Sequence, residues 1–520
     1  MESDAIRGWA AVVSVPAPSL KDNTADTERL VRALKPIAGD APVVVDLAVQ
    51  RRLPQLLRSG GRPLRCVFFK EPGRWVVVDA ATADSGPAPI GLAIDLGTTR
   101  VVMRLVDLVS GKALGEITFD NPQIRIGPDI LTRIHYTDTP GGLEELHRII
   151  IEAIGRAAGA LCDGAGRRST EIQLVAVAGN TAMSHLFLRL DPHWMIREPY
   201  IPVVNRPGVV AAADLGLPFS PGARVLVFPN IGSYFGGDVV AGILYSGLYR
   251  REETAVLVDV GTNAEVVLGS RHWLIACAGA AGPALEGGAA RMGMMAGEGV
   301  IDRVRIDPKT GAFHFSTIGG MPPRGICGSG LIDLAAQLFG AGMLDIRGKL
   351  VPARCGDRFL DTDGLGHLVV VPAGESATAG DLTISQADLD SLIRSKAAMY
   401  TILETIHQSV GMDMAELDAF LVAGTFGAFI DPVSAITIGM LPDLPLSKYH
   451  SIGNSSLEGA VMALLSRDSA DALDTIRSRI TYLELNVNQD FMNRFSAAKF
   501  IPHTDTGRFP SVRHPGAVMP

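Results

Sequence analysis

The sequence predicts an α/β protein in which one subdomain occurs twice behind a smaller N-terminal domain. Three observations carry this. An apolar strand ending in an acid, Ile90–Asp95, is followed by Gly97-Thr98-Thr99 and by two more strand-like runs, Val101–Val106 and Leu114–Phe119, joined at Ser110-Gly111. The same order returns with Thr254–Asp259, Gly261-Thr262-Asn263, Glu265–Leu268 and Trp273–Ala276, joined at Gly269-Ser270. Apolar residues at helical spacing then follow each triple, in Leu143–Leu161 and in Leu331–Phe339 and Leu389–Ile406. Repetition on this scale is duplication of a whole subdomain, not a short solenoid repeat.

Each element extends that outline. Before the first triple, Trp9–Val15 and Val43–Leu47 are strand-like and Leu53–Leu57 suits a helix. Arg65–Phe69 and Trp75–Asp79 form a closing pair of strands around Glu71-Pro72-Gly73. Thr82–Pro89 is a linker by composition. Short strands at Gln173–Ala178 and Phe420–Ala423 each lead into glycine and a small or polar loop. The expected division is residues 1–88 for the small domain and linker, 89–253 for the first lobe, 254–500 for the second lobe with its connecting helices, and 501–520 for an extended, Pro- and Gly-rich tail.

Composition excludes several classes. The chain has 520 residues, 47% hydrophobic and 20% charged, which is the balance of a globular protein. A net charge of −8 argues against nucleic acid or an anionic membrane as the main partner. No run of about 18 apolar residues occurs, and the acidic start Met1-Glu2-Ser3-Asp4 argues against a signal peptide. The five cysteines, Cys66, Cys162, Cys277, Cys327 and Cys355, lie more than about twenty positions apart, so no CxxC zinc site or compact iron–sulfur run is present. They read as free thiols of a cytoplasmic protein. The sequence leaves the oligomeric state open, a homodimer included.

The two strand-end loops carry chemistry. In Asp95-Leu96-Gly97-Thr98-Thr99, glycine lets the backbone approach a phosphate, Thr98 and Thr99 add hydroxyl donors, and Asp95 can hold Mg²⁺ through its water shell. Asp259, Gly261, Thr262 and Asn263 repeat the arrangement. One such loop alone is a β-turn; two, each opening a strand triple, point to a polyphosphate gripped from both sides. Gly424, Phe426 and Gly427, after the Phe420–Ala423 strand, suit a flat nucleoside packed on backbone. No GxxxxGK[ST] and no GxGxxG after a strand occurs, which excludes a P-loop and makes a dinucleotide fold a poor fit.

These loops resemble the phosphate and adenosine elements of the acetate-and-sugar-kinase, chaperone and actin superfamily, which implies two ribonuclease-H-like lobes holding ATP and Mg²⁺ between them. Asn230–Gly242 and Gly453–Ala460 resemble its two connecting helices. More narrowly, residues 90–502 resemble the reductive activators of corrinoid proteins, through DLGTT (95–99), NPQIRIGPDILTRI (121–134), AGNTAMSHLFL (178–188), VDVGTNAEVVLG (258–269), AGPALEG (281–287), PRGICGSGLIDL (323–334), AGTFGAFI (423–430) and IGMLPDLP (438–445). Residues 9–80 resemble, less closely, the small middle domain of those activators. The resemblance implies an ATPase that returns Co(II) corrinoid on a methyltransferase component to Co(I). It implies Asp95 and Asp259 as metal organisers and Asp238 as a residue that orients the attacking water or the metal.

The sequence departs from that family in having no cysteine cluster, so no iron–sulfur cluster is expected and the electron is expected from a separate ferredoxin or flavoprotein. Arg100 after the first loop and Thr425 in place of glycine are smaller departures. A small-molecule kinase of the same superfamily, or a non-redox ATP-binding regulator, remains open at this point. Blander readings stand beside the functional ones. Asp238 also reads as an exposed helix acid, and Asn180-Thr181 as a helix cap rather than the floor of a cleft. Asp191-Pro192-His193 lacks the last glycine of a cobalamin DxHxxG signature and reads as a loop with a surface histidine. Cys327 reads as a buried thiol beside an N-cap at Ser329, and Met292–Met295 as core.

Overall fold

A computed structural model describes residues 8–58, 63–84, 86–261, 263–280, 290–307, 310–424, 430–483, 485 and 490–513, the side chains of Asn263 and Ala280 excepted. The chain divides into two compact units. One comprises Met1–Tyr245 and Ser455–Arg479, the other Ser246–Asn454 and Ile480–Pro520.

The first unit opens with a four-stranded sheet. Its strands are β1 (Ala10–Val13), β2 (Val43–Val45), β3 (Leu64–Glu71) and β4 (Arg74–Thr82), in the order β1-β3-β4-β2. Helix Asp26–Ala38, which the sequence reading passed over, packs Leu30 and Leu34 into this domain's core. Its signals were the spacing of those two leucines and Glu28, whose carboxylate accepts from the Ala25 N–H at 2.9 Å. Arg224 ties the small domain to the rest of the unit by donating to Glu71 at 2.9 Å and Asp46 at 3.0 Å. Burial pushes the Glu71 carboxyl up, but the guanidinium groups of Arg224 and Arg74 hold it below its usual range.

The main sheet of this unit contains β5 (Ile90–Leu96), β6 (Arg100–Asp107), β7 (Ala113–Asp120), β8 (Ile172–Gly179), β9 (Gly208–Ala211) and β10 (Arg224–Val227), in the order β7-β6-β5-β8-β10-β9. β5 runs antiparallel to β6 and parallel to β8. It lies in the middle of the sheet, which is why it reads as a continuous apolar run broken only by half-buried Asp95. Helix Gly142–Gly164 packs Leu146, Ile150 and Ile154 against the sheet.

The second unit repeats the plan. β11 (Ala255–Val260), β12 (Asn263–Ser270) and β13 (Trp273–Ala280) form the antiparallel triple. Small sheets of β14 (Val300–Ile306), β15 (Phe313–Thr317) and β16 (Gly325–Ile326), and of β17 (Phe359–Thr362), β18 (Leu365–Val371) and β19 (Leu382–Ser385), follow. β20 (Ala419–Ala423), β21 (Tyr449–Gly453) and β22 (Ile480–Tyr482) then complete the main sheet, in the order β21-β20-β11-β12-β13-β22. Hence β13-β12-β11-β20-β21 matches β7-β6-β5-β8-β10 strand for strand, with β20 parallel to β11 as β8 is to β5. The two lobes are ribonuclease-H-like, as the superfamily resemblance implied.

Helix Gln386–Ser409 crosses the second unit, its start fixed by a capping box between Ser385 and Asp388. Its Lys396, buried with no carboxylate partner among the described residues, donates to the carbonyls of Phe500 and Pro502 at 2.5 and 2.8 Å. From Ile501 to Arg513 the chain contains only one short 3₁₀ turn, Thr506–Arg508, yet it buries Ile501 and Phe509. Among the described residues no helix is long and apolar enough to cross a membrane.

Candidate functional site

β5 ends at Leu96 and β6 begins at Arg100, so residues 97–99 make the whole connection. A Cβ on Gly97 would lie 2.3 Å from the Arg100 carbonyl oxygen, which leaves room only for glycine. Three successive carbonyls are held by the segment that follows β7. Asn121 Nδ2 donates to Gly97 O at 2.9 Å, Arg133 Nη2 to Thr98 O at 2.7 Å, and the Asn121 N–H to Thr99 O at 2.8 Å. Among the described residues no acceptor takes the N–H of Thr98 or of Thr99. The Thr98 hydroxyl accepts from Asn180 Nδ2 at 2.9 Å. Asn180 also caps helix Thr181–Phe187, its side-chain oxygen accepting from the Met183 N–H. The capping reading of Asn180 therefore holds, and the same side chain also reaches the first loop.

Asp95 lies at the C-terminal end of β5, and the Ser456 hydroxyl donates to its Oδ1 at 2.8 Å. Asp238 belongs to the first turn of helix Gly237–Ser246 and accepts from the Val239 N–H at 2.9 Å. Burial pushes its carboxyl up, to about 7, and the Asp95 charge adds to the rise. Asp238 is therefore half-buried beside Asp95, not the exposed helix acid of the blander reading. Backbone packs closely around the helix that carries Asp238. A Cβ on Gly236 would lie 2.3 Å from Asn180 Cα, and one on Gly459 2.3 Å from Ala241 O, where helix Ser455–Leu465 crosses helix Gly237–Ser246. Of the two segments read as connecting helices, Asn230–Gly242 is helical only from Gly237 and Gly453–Ala460 from Ser455, and both helices lie almost wholly in the first loop's unit.

In the second unit Asp259 lies near the end of β11, opposite Glu265 on β12 and Ala423 on β20. Gly424 has φ +87°, and a Cβ there would come within 2.9 Å of Val260 O and 3.0 Å of Asp259 Oδ1. Gly424 thus packs against the end of β11 at Asp259 and Val260, just before half-buried Gly261. Thr262, Phe426 and Gly427, with Thr425, lie outside the described residues, as does the Asn263 side chain.

The remaining candidates fall outside these groups. His193 is bound to Asp138 at 2.6 Å, and Arg197 also pairs with that carboxylate. Arg100 makes a long surface pair with Asp120 at 3.7 Å. Helix Gly328–Gly340 is capped by Cys327, without a side-chain cap bond, so Ser329 lies inside the first turn and the expected N-cap is corrected by two residues. Met292 is buried but Met295 is exposed, so that run is only partly core. All five thiols are free and buried. Burial pushes Cys66 up to about 12 and Cys162 to about 11, the opposite of what a reactive thiol needs. Sequence reasoning missed Ser456, Asn121 and Arg133. The segments that carry them were singled out, but nothing in a linear pattern shows which side chains reach back to the loop.

Duplicated lobes, each with an acid-glycine loop at the end of its central strand, define a protein of the actin, sugar-kinase and chaperone (ASKHA) class. The sequence models of the RACo family match throughout: the linker region over residues 9–84, the middle region over 90–251 and the C-terminal ASKHA domain over 253–513. The chain belongs to the RACo family. Residues 9–80 are thus the family's linker region and not, as the resemblance suggested, its middle domain.

Corrinoid activation enzyme RamQ of Eubacterium limosum is 32% identical over 428 residues, 81% of this chain and 72% of the relative. The [Co(II) methylated amine-specific corrinoid protein] reductase of Methanosarcina barkeri is 24% identical over 441 residues, 78% of this chain and 75% of the relative. The solved structure of a reductive activator for corrinoid, iron-sulfur protein superposes with a TM-score of 0.88 at 38% identity, covering 98% of this chain and 82% of that one.

Proposed function

We propose that this protein is an ATP-dependent reductive activator that returns the Co(II) corrinoid of a methyltransferase system to Co(I). The corrinoid client rests on the relatives, named as a corrinoid activation enzyme and a corrinoid protein reductase. The observation that carries the ATP step is the first loop, where two N–H groups without acceptors stand next to a strand-end carboxylate and a second acid. Such N–H groups suit phosphate oxygens, and the carboxylates suit the water shell of Mg²⁺.

In this reading Gly97, Thr98 and Thr99, with Gly261, Thr262 and Asn263, hold the phosphates, and Gly424, Phe426 and Gly427 line the adenosine. Asp95 and Asp259 organise Mg²⁺, and Asp238 orients the attacking water. ATP hydrolysis then biases the complex toward a state in which the cobalt is easier to reduce, which requires different affinities for the client in the two states. The five isolated, buried thiols supply no ligand set for a cluster, so the electron comes from outside these 520 residues, from a ferredoxin or a flavoprotein.

The test mixes the protein with a Co(II) corrinoid protein, a reductant and ATP–Mg²⁺ and follows the visible spectrum. Appearance of the Co(I) band only with ATP supports the reading. Turnover of ATP onto a small acceptor with no corrinoid present would transfer the assignment to a small-molecule kinase.

A further inference from the structure

Arg133 is fully buried, and its positive charge has no part yet in the site described above. Its Nε donates to Gly127 O at 2.8 Å, Nη2 to Thr98 O at 2.7 Å, and Nη1 reaches Gln123 Oε1 and Met183 Sδ, both at 3.2 Å. Every partner is neutral. The acid that bears on it is Asp129, whose carboxylate is engaged in capping helix Ile130–Thr137 at the Thr132 N–H. Burial lowers the guanidinium to about 10, so it remains protonated at neutral pH. A cation buried with no carboxylate among its hydrogen-bond partners is costly, and a hydrocarbon of the same size is often the more stable choice.

The geometry around it gives the charge a use. In a trans peptide the C=O and the N–H point in opposite directions. The carbonyl of Gly97 shares its peptide with the N–H of Thr98, and that of Thr98 with the N–H of Thr99. Holding both carbonyls from the 121–133 side therefore turns both N–H groups the other way. The holders are themselves fixed. Asn121 Oδ1 accepts from the Gln123 N–H at 3.0 Å, and Gln123 Nε2 donates to Leu146 O at 2.9 Å. Successive N–H groups presented this way form an anion-binding concavity.

We infer that Asn121 and Arg133 are the positioning residues of the first phosphate loop, and that the charge of Arg133, whose hydrogen-bond partners are all neutral, is matched by the phosphate chain of the bound nucleotide. This rests on the ATP reading of that loop and adds to it the residues that make the loop a phosphate site. Arg133 polarises the peptide between Thr98 and Thr99 through the carbonyl it holds, and its field favours an anion beyond the N–H. Neither effect acts on the uncharged part of the ligand.

The experiment compares binding of ATP–Mg²⁺ and of adenosine to the full chain by calorimetry. Arg133→Gln keeps a donor for Thr98 O but loses the charge, and is expected to weaken ATP by about tenfold or more while adenosine changes less than about twofold. Arg133→Lys is expected to recover most of the loss, and Arg148→Gln, an exposed cation paired with Glu152, to bind both as the parent does. Should Arg133→Gln fail to fold, Asn121→Ser releases the Gly97 carbonyl and is expected to give the same selective loss for ATP. Unchanged ATP affinity, equal losses for ATP and adenosine, or no recovery with lysine overturns the inference and leaves the ATP reading standing. Failure of the parent protein to bind ATP overturns the ATP reading itself.

Discussion

The Ser456 hydroxyl donates to Asp95 Oδ1 across 2.8 Å, joining residues 361 positions apart in the chain. Ser456 lies in the first turn of helix Ser455–Leu465 and is almost fully buried, so this bond fixes one lone-pair direction of the carboxylate without competition from bulk water. Ser456→Ala removes one hydrogen bond to a charged group and leaves the fold. The expected result is a fall in kcat for ATP hydrolysis of roughly tenfold with a smaller change in KM, as for a group that orients the metal rather than holds the nucleotide. Phosphate-release kinetics decide it; an unaltered kcat means that Asp95 is held well enough by its strand alone.

The second loop yields a sharper expectation. Asp259→Ala removes a proposed metal organiser and should abolish ATP turnover, measured by phosphate release. Gly424→Ala acts on the same carboxylate from outside, because the new methyl group would sit 3.0 Å from Asp259 Oδ1 at a backbone φ of +87°. Its expected effect is at least about tenfold on kcat/KM. Normal turnover in Asp259→Ala contradicts the assignment of this loop.

Much of this was legible in the sequence, for identifiable reasons. β5 and β11 are buried on both faces, so each had to be an apolar run, and each carries an acid one residue before its end. Glycines 97 and 424 were legible because no other residue fits their turns. Ser456, Asn121 and Arg133 were not, since a serine in a helix start and an arginine in an amphipathic helix read as ordinary surface until their contacts are known. Strands such as β16 and β17 are two and four residues long, too short for an alternation of two to stand out. Asp238 was visible as a candidate, but the close approach of Asn180 at Gly236 and of Ala241 at Gly459 around its helix is shown by no local pattern.

The raised carboxyl of Asp238 has a consequence for stability with a definite sign. Its folded pKa, about 7, lies above the ordinary aspartate value of 3.8, so between these values the folded state binds more protons than the unfolded chain. Stability contributed by this group is therefore lost as pH rises from about 4 to about 7, and does not change further above that. Asp238→Asn abolishes the dependence. Without nucleotide or Mg²⁺, its melting temperature relative to the parent should climb from pH 5 to pH 8, by a difference on the order of 2 kcal/mol in stability. Equal differences at the two values would show that Asp238 is ionised throughout. ATP turnover of the variant should be strongly reduced at every pH.

Two helical glycines separate packing from propensity. Gly459 lies where helix Ser455–Leu465 crosses helix Gly237–Ser246, and a Cβ there would meet Ala241 O at 2.3 Å and the Ala241 Cβ at 2.7 Å. Neither contact can be relieved by turning a flexible side chain. Gly459→Ala forces the helices apart and should lower stability by about 1–3 kcal/mol, the range for overpacking. Because the same helices carry Ser456 and Asp238, ATP hydrolysis should fall with it. Gly159, inside helix Gly142–Gly164, has no atom within 4 Å of an added Cβ. There alanine gains helix propensity at no steric cost, and Gly159→Ala should raise stability by roughly 0.5–1 kcal/mol with activity unchanged. Denaturant titration of the two variants side by side checks the pair. If both shift in the same direction, the close crossing of the connecting helices is not what holds Asp238 beside Asp95.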